Sequence, residues 1–151
     1  MAGSRARPVL LDDRLLVEEL LVGLPGRRPA GPLLTTSYWY YRACRATVAG
    51  AGGHLSGPFL GLPADQQSSA IRGLLALPDH IGLPDPRSLV PMMAELAQRH
   101  PRLNLLNLEA VTTAALLGAV VWLSEPSAAG ILPDALDAEG VRWRVVLLRP
   151  I

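Results

Sequence analysis

The sequence predicts an α/β fold in which a central, mostly parallel sheet is flanked by helices, and two observations lead there. Several short apolar runs lack the alternation of a half-exposed strand, which is how strands buried on both faces read. Helical patterns separate those runs, and an order of strand, helices, strand, helix, strand builds a layered sheet. At 151 residues the chain fits a single domain (1–151) whose core needs no disulfide or metal staple.

"PVLL" (8–11) is the first strand. The helix after it carries Leu15, Leu16, Glu19 and Leu20 and stops at Gly23 and Pro25. "VGLPGRRPAGP" (22–32) is a loop, and "PLLTT" (32–36) is a weaker strand. Tyr38 to Ala49 is a second helix, with Ser37 as N-cap and Gly50 closing it. Pro63 to Leu77 starts on proline, holds Asp65 in its first turn and ends before Pro78. "ALPDHIGLPDP" (76–86) reads as loop throughout. Arg87 to Arg99 is the fourth helix, with Pro91 in or near its first turn. Asn107 to Leu117 is the fifth, capped by Asn107 and closed by Gly118. "VVWL" (120–123) is the next strand. Short helical pieces around Ala128 and from Asp134 to Glu139 then lead to the last one, "RVVLL" (144–148).

Composition narrows the function classes. Hydrophobic residues make up 50% of the chain, charged residues 18%, and mean hydropathy is +0.27. Such an apolar chain shares surface with a partner, so a homodimer or a hetero-complex is expected. The formal charge of +1 gives no global field for nucleic acid or membrane, and any RNA contact must be local. All 14 basic residues are arginine. Cys44 stands alone, which argues against a disulfide framework and for a reducing compartment. "MAGSRARPVLLDD" is broken by Asp12 and does not read as a signal peptide. The longest apolar run, Ala114 to Leu123, is shorter than the roughly 20 residues of a membrane span. A cytoplasmic protein without membrane contact is expected.

The carboxylates carry the chemistry. In open parallel sheets ligands bind beyond the carboxyl ends of the strands. Asp12 and Asp13 follow the first strand, Glu125 follows "VVWLS", and Asn107 and Glu109 open the helix that feeds that strand. If those strands are neighbours, the oxygens converge, and a proton or a divalent cation must neutralise them. Oxygen ligands with no histidine or thiol suit Mg2+ or Mn2+, the ions of phosphodiester cleavage. The architectural alternatives are that Asp12 or Asp13 caps the first helix and that Glu109 complements a helix dipole. His54, His80 and His100 lack ligand spacing and read as surface or loop residues.

"SYWYYRACR" (37–45) gathers Tyr38, Trp39, Tyr40 and Tyr41 with Arg42 and Arg45. A helix turns about 100° per residue, so consecutive aromatics cannot all face one core. Trp39, Tyr40, Arg42 and Arg45 are therefore candidates for RNA stacking and phosphate contact or for a protein interface, the latter favoured by the low net charge. Arg42 could also pair with Asp12 and stand where a metal would.

"VLLDDRLLVEELL" is similar to the opening strand and helix of PIN domains, the metal-dependent ribonuclease fold of many toxins in bacterial toxin-antitoxin pairs. "NLEAVTTAALLGAVVWLSEPSAAGILPDALDAEGVRWRVV" resembles that family's closing helix, glycine-alanine turn and last two strands. The resemblance implies a PIN-like three-layer domain and Mg2+- or Mn2+-dependent RNA hydrolysis. Asp12, Glu125 and Glu109 are then the catalytic candidates, and Asp12, Asp13, Glu125 and Asn107 the metal ligands. It also implies a small antitoxin-like partner. Two family positions depart from the pattern: Arg42 falls where a glutamate is usual, and Asn107 where an aspartate is. The alternative is a PIN-like module that has lost chemistry and binds protein or RNA. An acidic pair after a first strand also resembles the receiver domains of two-component signalling, but those use a lysine after a late strand, and this chain has none.

Overall fold

The computed structural model describes residues 5–48 and 63–148. Ala49, Gly50 and His54 lie outside them. The described elements are β1 (Val9–Leu11), α1 (Asp13–Leu21), β2 (Leu33–Leu34), α2 (Ser37–Val48), α3 (Ala64–Leu75), β3 (Ile81–Gly82), α4 (Pro86–Arg99), α5 (Leu105–Leu117), β4 (Val120–Leu123), α6 (Glu125–Ala128), α7 (Leu132–Ala138) and β5 (Trp143–Val145). The five strands form one parallel sheet in the order β3-β2-β1-β4-β5.

Side chains alternate across a strand, so the two faces of this sheet bury different residues. Leu10, Val121 and Leu123 pack with Leu96, Leu108, Val111 and Leu136, which places α4, α5 and α7 on one face. Val9, Leu11, Leu33 and Trp122 pack with Leu15, Leu16, Ala43 and Leu74, which places α1 and α3 on the other, while α2 reaches both clusters through Trp39 and Ala43. Both faces of β1 are therefore sealed, and that is why "VLL" shows no polar alternation. The result is a three-layer α/β architecture. No helix among the described residues is long and apolar enough to cross a membrane.

Several boundaries differ from expectation; α2 starts at Ser37 itself, so that Thr36 rather than Ser37 supplies its side-chain cap. β3 lies inside the segment read as loop: Ile81 is buried, and Thr35 N–H donates to the Gly82 carbonyl at 3.0 Å. Two residues are too few to carry a period. Gly82 fits because a Cβ there would fall 2.6 Å from Leu34 Cδ2. α4 starts at Pro86, capped by Asp85, so Pro91 sits inside the helix rather than near its first turn. α5 starts at Leu105, because Asn104 rather than Asn107 is its cap; the Asn104 side chain accepts from Asn107 N–H at 2.9 Å. β5 is shorter than "RVVLL" and begins at Trp143. Gly118 closes α5 as expected, at φ +64°.

Candidate functional site

The chain leaves β1 toward β2 on one side and returns later as β4 on the other. That reversal leaves a crevice at the carboxyl ends of the two strands, the usual ligand position in an open parallel sheet. A pocket of about 290 Å³ opens there, with Asp13, Arg14, Arg42, Asn107 and Ser124 among its walls.

Asp12 ends β1, caps α1 and is fully buried. Its Oδ1 accepts the N–H of Leu15 at 2.9 Å. Its Oδ2 accepts both the N–H of Ser124, at 2.7 Å, and the Ser124 hydroxyl. One carboxylate thus starts a helix and pins the end of β4 to the end of β1. The capping alternative holds for Asp12, with the clamp on Ser124 added.

Asp13 opens α1 and is also buried. Arg42 Nε, from α2, stands 3.2 Å from Asp13 Oδ2. Arg42 therefore pairs with Asp13 and not with Asp12, because both oxygens of Asp12 already face N–H and O–H donors.

Glu109 is buried and belongs to α5, but it serves a different helix. Its Oε1 accepts Tyr38 N–H at 2.8 Å and its Oε2 accepts Ser37 N–H at 3.2 Å. Thr36 Oγ1 accepts Trp39 N–H at 3.0 Å. The first amides of α2, which have no partner within their own helix, are satisfied in this way. The dipole that Glu109 complements is that of α2 rather than its own. Glu125 is exposed at the first position of α6 and is not among the pocket walls; Asn107 is.

A divalent cation of the Mg2+ or Mn2+ type needs several oxygens free to turn toward it. Here Asp12 and Glu109 are engaged by N–H donors, Asp13 faces a guanidinium, and Glu125 lies off the pocket. Among the described residues no three His, Cys, Asp or Glu side chains gather as a cation-holding group. As arranged, these donors do not fit a resident divalent cation.

The aromatic stretch divides differently from the expected contact set. Trp39 is 1% exposed and forms part of the pocket wall. Tyr40 is half-buried; its hydroxyl donates to the Leu74 carbonyl at 2.9 Å and accepts Leu77 N–H at 3.2 Å, tying α2 to the end of α3. Burial, with Cys44 beside it, pushes the Tyr40 phenol above its ordinary range. The outward aromatics are Tyr38 and Tyr41, three positions apart and hence on one helix face. Arg45 is exposed in the last turn of α2.

Tyr38 also borders an apolar groove of about 480 Å³ between α4 and α5, walled by Leu89, Val90, Met93 and Leu105. A polar cluster lies elsewhere. Glu139, beyond α7, accepts from Arg99 at 2.8 Å and lies 2.7 Å from His100 Nε2. Those contacts, Arg99 first, hold the Glu139 carboxyl below its ordinary range. His80 is exposed.

Arg14, Ser124 and Asn104 also line the pocket, and the carboxylate pattern did not single them out. Their signals were present but bland: an arginine after an acidic pair, a serine closing a strand, and an asparagine before a leucine-rich helix. A comparison with protein-family models finds no match to this chain, and one with curated proteins finds none either.

Proposed function

We propose that this chain is a PIN-like module that acts by binding, its acidic residues committed to the architecture rather than to a metal. The observation that carries this reading is the Arg42–Asp13 ion pair inside the pocket, with Asp12 engaged beneath it. A guanidinium beside a carboxylate supplies the positive charge that a divalent cation would otherwise bring.

The test is a calorimetric titration of the purified protein with Mn2+, with Mg2+ as competitor. No heat of binding at millimolar metal is the expected result. Metal-dependent RNA hydrolysis of the toxin type is the second reading, favoured by the presence of Asp13 and Asn107 in one pocket at the strand ends. Mn2+ binding that disappears in Asp13→Asn would establish that reading in place of the first.

A protein partner, either a second copy or a small antitoxin-like chain, finds its best support in the groove between α4 and α5. Val90 and Leu105 are 56% and 57% exposed there, and Tyr38 borders it. Exposed apolar residues gathered at one groove are a common mark of an interaction surface.

A further inference from the structure

We infer that the pocket between the ends of β1 and β4 binds a phosphate ester through Arg14 and Arg42. This deepens the binding reading and rests on it, since a resident cation would oppose both guanidiniums.

Four observations point to an anion. Arg14 Nε is buried and has no hydrogen-bond partner among the described residues, while its side chain lines the pocket. A buried N–H without an acceptor is costly, and a small rotation of the Arg14 side chain toward an oxygen in the pocket would relieve that cost. Arg42 meets Asp13 through Nε, one of the five N–H donors of its fork. Asp13 can thus steady the guanidinium while other donors face the ligand. Among the described residues, the charged walls hold two guanidiniums against one carboxylate. The first turns of α1 and α5, the positive ends of two helix dipoles, also contribute walls.

The chemistry selects phosphate over carboxylate and over a cation. Two arginine forks offer more donors than a carboxylate has oxygens, whereas a phosphate monoester presents three terminal oxygens to them. Leu106, Pro126 and Leu132 add apolar wall for the organic part of the ester. The pocket is at the small end of ligand sites, and a chain of net charge +1 has no field to hold a long polyanion. The phosphate therefore belongs to a small monoester, for which a mononucleotide serves as probe, or to a strand end.

The test is calorimetry on the full chain with adenosine 5′-monophosphate, adenosine, and a short RNA carrying or lacking a 5′-phosphate. The variants are Arg14→Gln and Arg42→Gln, with Arg72→Gln, exposed on α3 and away from the pocket, as control and circular dichroism to confirm folding. Arg42→Lys, which keeps the charge without the fork, covers the case in which the glutamine variant unfolds. Binding of the monophosphate or the 5′-phosphorylated RNA, but not of the probes without phosphate, is expected. It should weaken about tenfold or more in each pocket variant and stay unchanged in Arg72→Gln. Binding of the mononucleotide identifies a free nucleotide as sufficient; binding of the 5′-phosphorylated RNA alone identifies a strand end.

No binding of either phosphate probe, or equal binding by wild type and pocket variants, overturns the inference. The Mn2+ titration keeps the two failures apart. Absence of both metal and phosphate binding removes this inference alone, whereas metal binding lost in Asp13→Asn removes the reading beneath it.

Discussion

Asp12 is a carboxylate with no exposed surface, and it is tolerated because donors from Leu15 and Ser124 converge on it. A buried charge is acceptable when it is fully hydrogen-bonded. Asp12→Asn presents an amide N–H2 to at least one of those donors. It should therefore lower stability by about 2 kcal/mol, the range for losing bonds to a buried charged acceptor. Urea denaturation at neutral pH reads this directly, and a rise in stability would show that carboxylate repulsion outweighs the capping bonds. The sequence placed Asp12 at a strand end and offered capping as one of its roles. Its partner on β4 was not legible, because Ser124 lies 112 positions away. Arg42 is the same kind of case: its type and helix were evident, but its choice of Asp13 over Asp12 depends on which oxygens were already engaged.

The elements are tied together at their ends by such long-range carboxylates. Glu109 on α5 accepts the opening amides of α2, 72 and 71 positions away, so the two helices share one capping group. Glu109→Gln keeps the shape but exchanges one acceptor oxygen for an N–H2 facing a backbone N–H. A loss of about 1–3 kcal/mol is expected, measurable by urea unfolding, with amide exchange becoming faster first at Ser37 and Tyr38. Unchanged exchange at those amides would remove Glu109 as the cap. At the opposite end of α4, Arg99 and His100 meet Glu139. Because Glu139 is held below its ordinary range when folded, its contribution is present above the unfolded carboxyl value. It is lost as pH falls through the lower folded value. Stability of the wild type should fall more steeply than that of Glu139→Gln as the pH drops below about 4.5. The difference should stay below about 1 kcal/mol, since the cluster is partly solvated. Parallel pH curves for the two proteins would show that the ion pair contributes nothing. Long elements were readable from apolar spacing and proline or glycine stops. β3 was not, because a two-residue strand is specified by its neighbour β2 rather than by its own pattern.

Among the described residues, several large apolar side chains stay exposed outside the two core clusters. The sheet seals Val9, Leu10 and Leu11 on both sides, yet Val90, Leu105, Tyr38 and Tyr41 stay open around one groove and one helix face. Composition alone raised the expectation of a shared surface, and consecutive aromatics indicated that one of them must face outward. Their spacing could not say which, since the answer is the rotation of α2 fixed by buried Trp39 and by the Tyr40 bond to Leu74. Trp39→Ser would consequently damage the core, and Tyr40→Ser would cut the tie to α3; neither isolates an interface. Tyr38→Ser with Tyr41→Ser leaves both packed aromatics in place. If this face is where copies of the chain meet, light scattering should report a smaller mass for the double variant than for the wild type, with circular dichroism unchanged. If the wild type is monomeric, the same pair should weaken capture of a separate partner while leaving phosphate binding in the pocket intact. A double variant with unchanged mass and unchanged partner binding would show that these tyrosines are merely solvated, and the groove beside them would lose its claim to a partner.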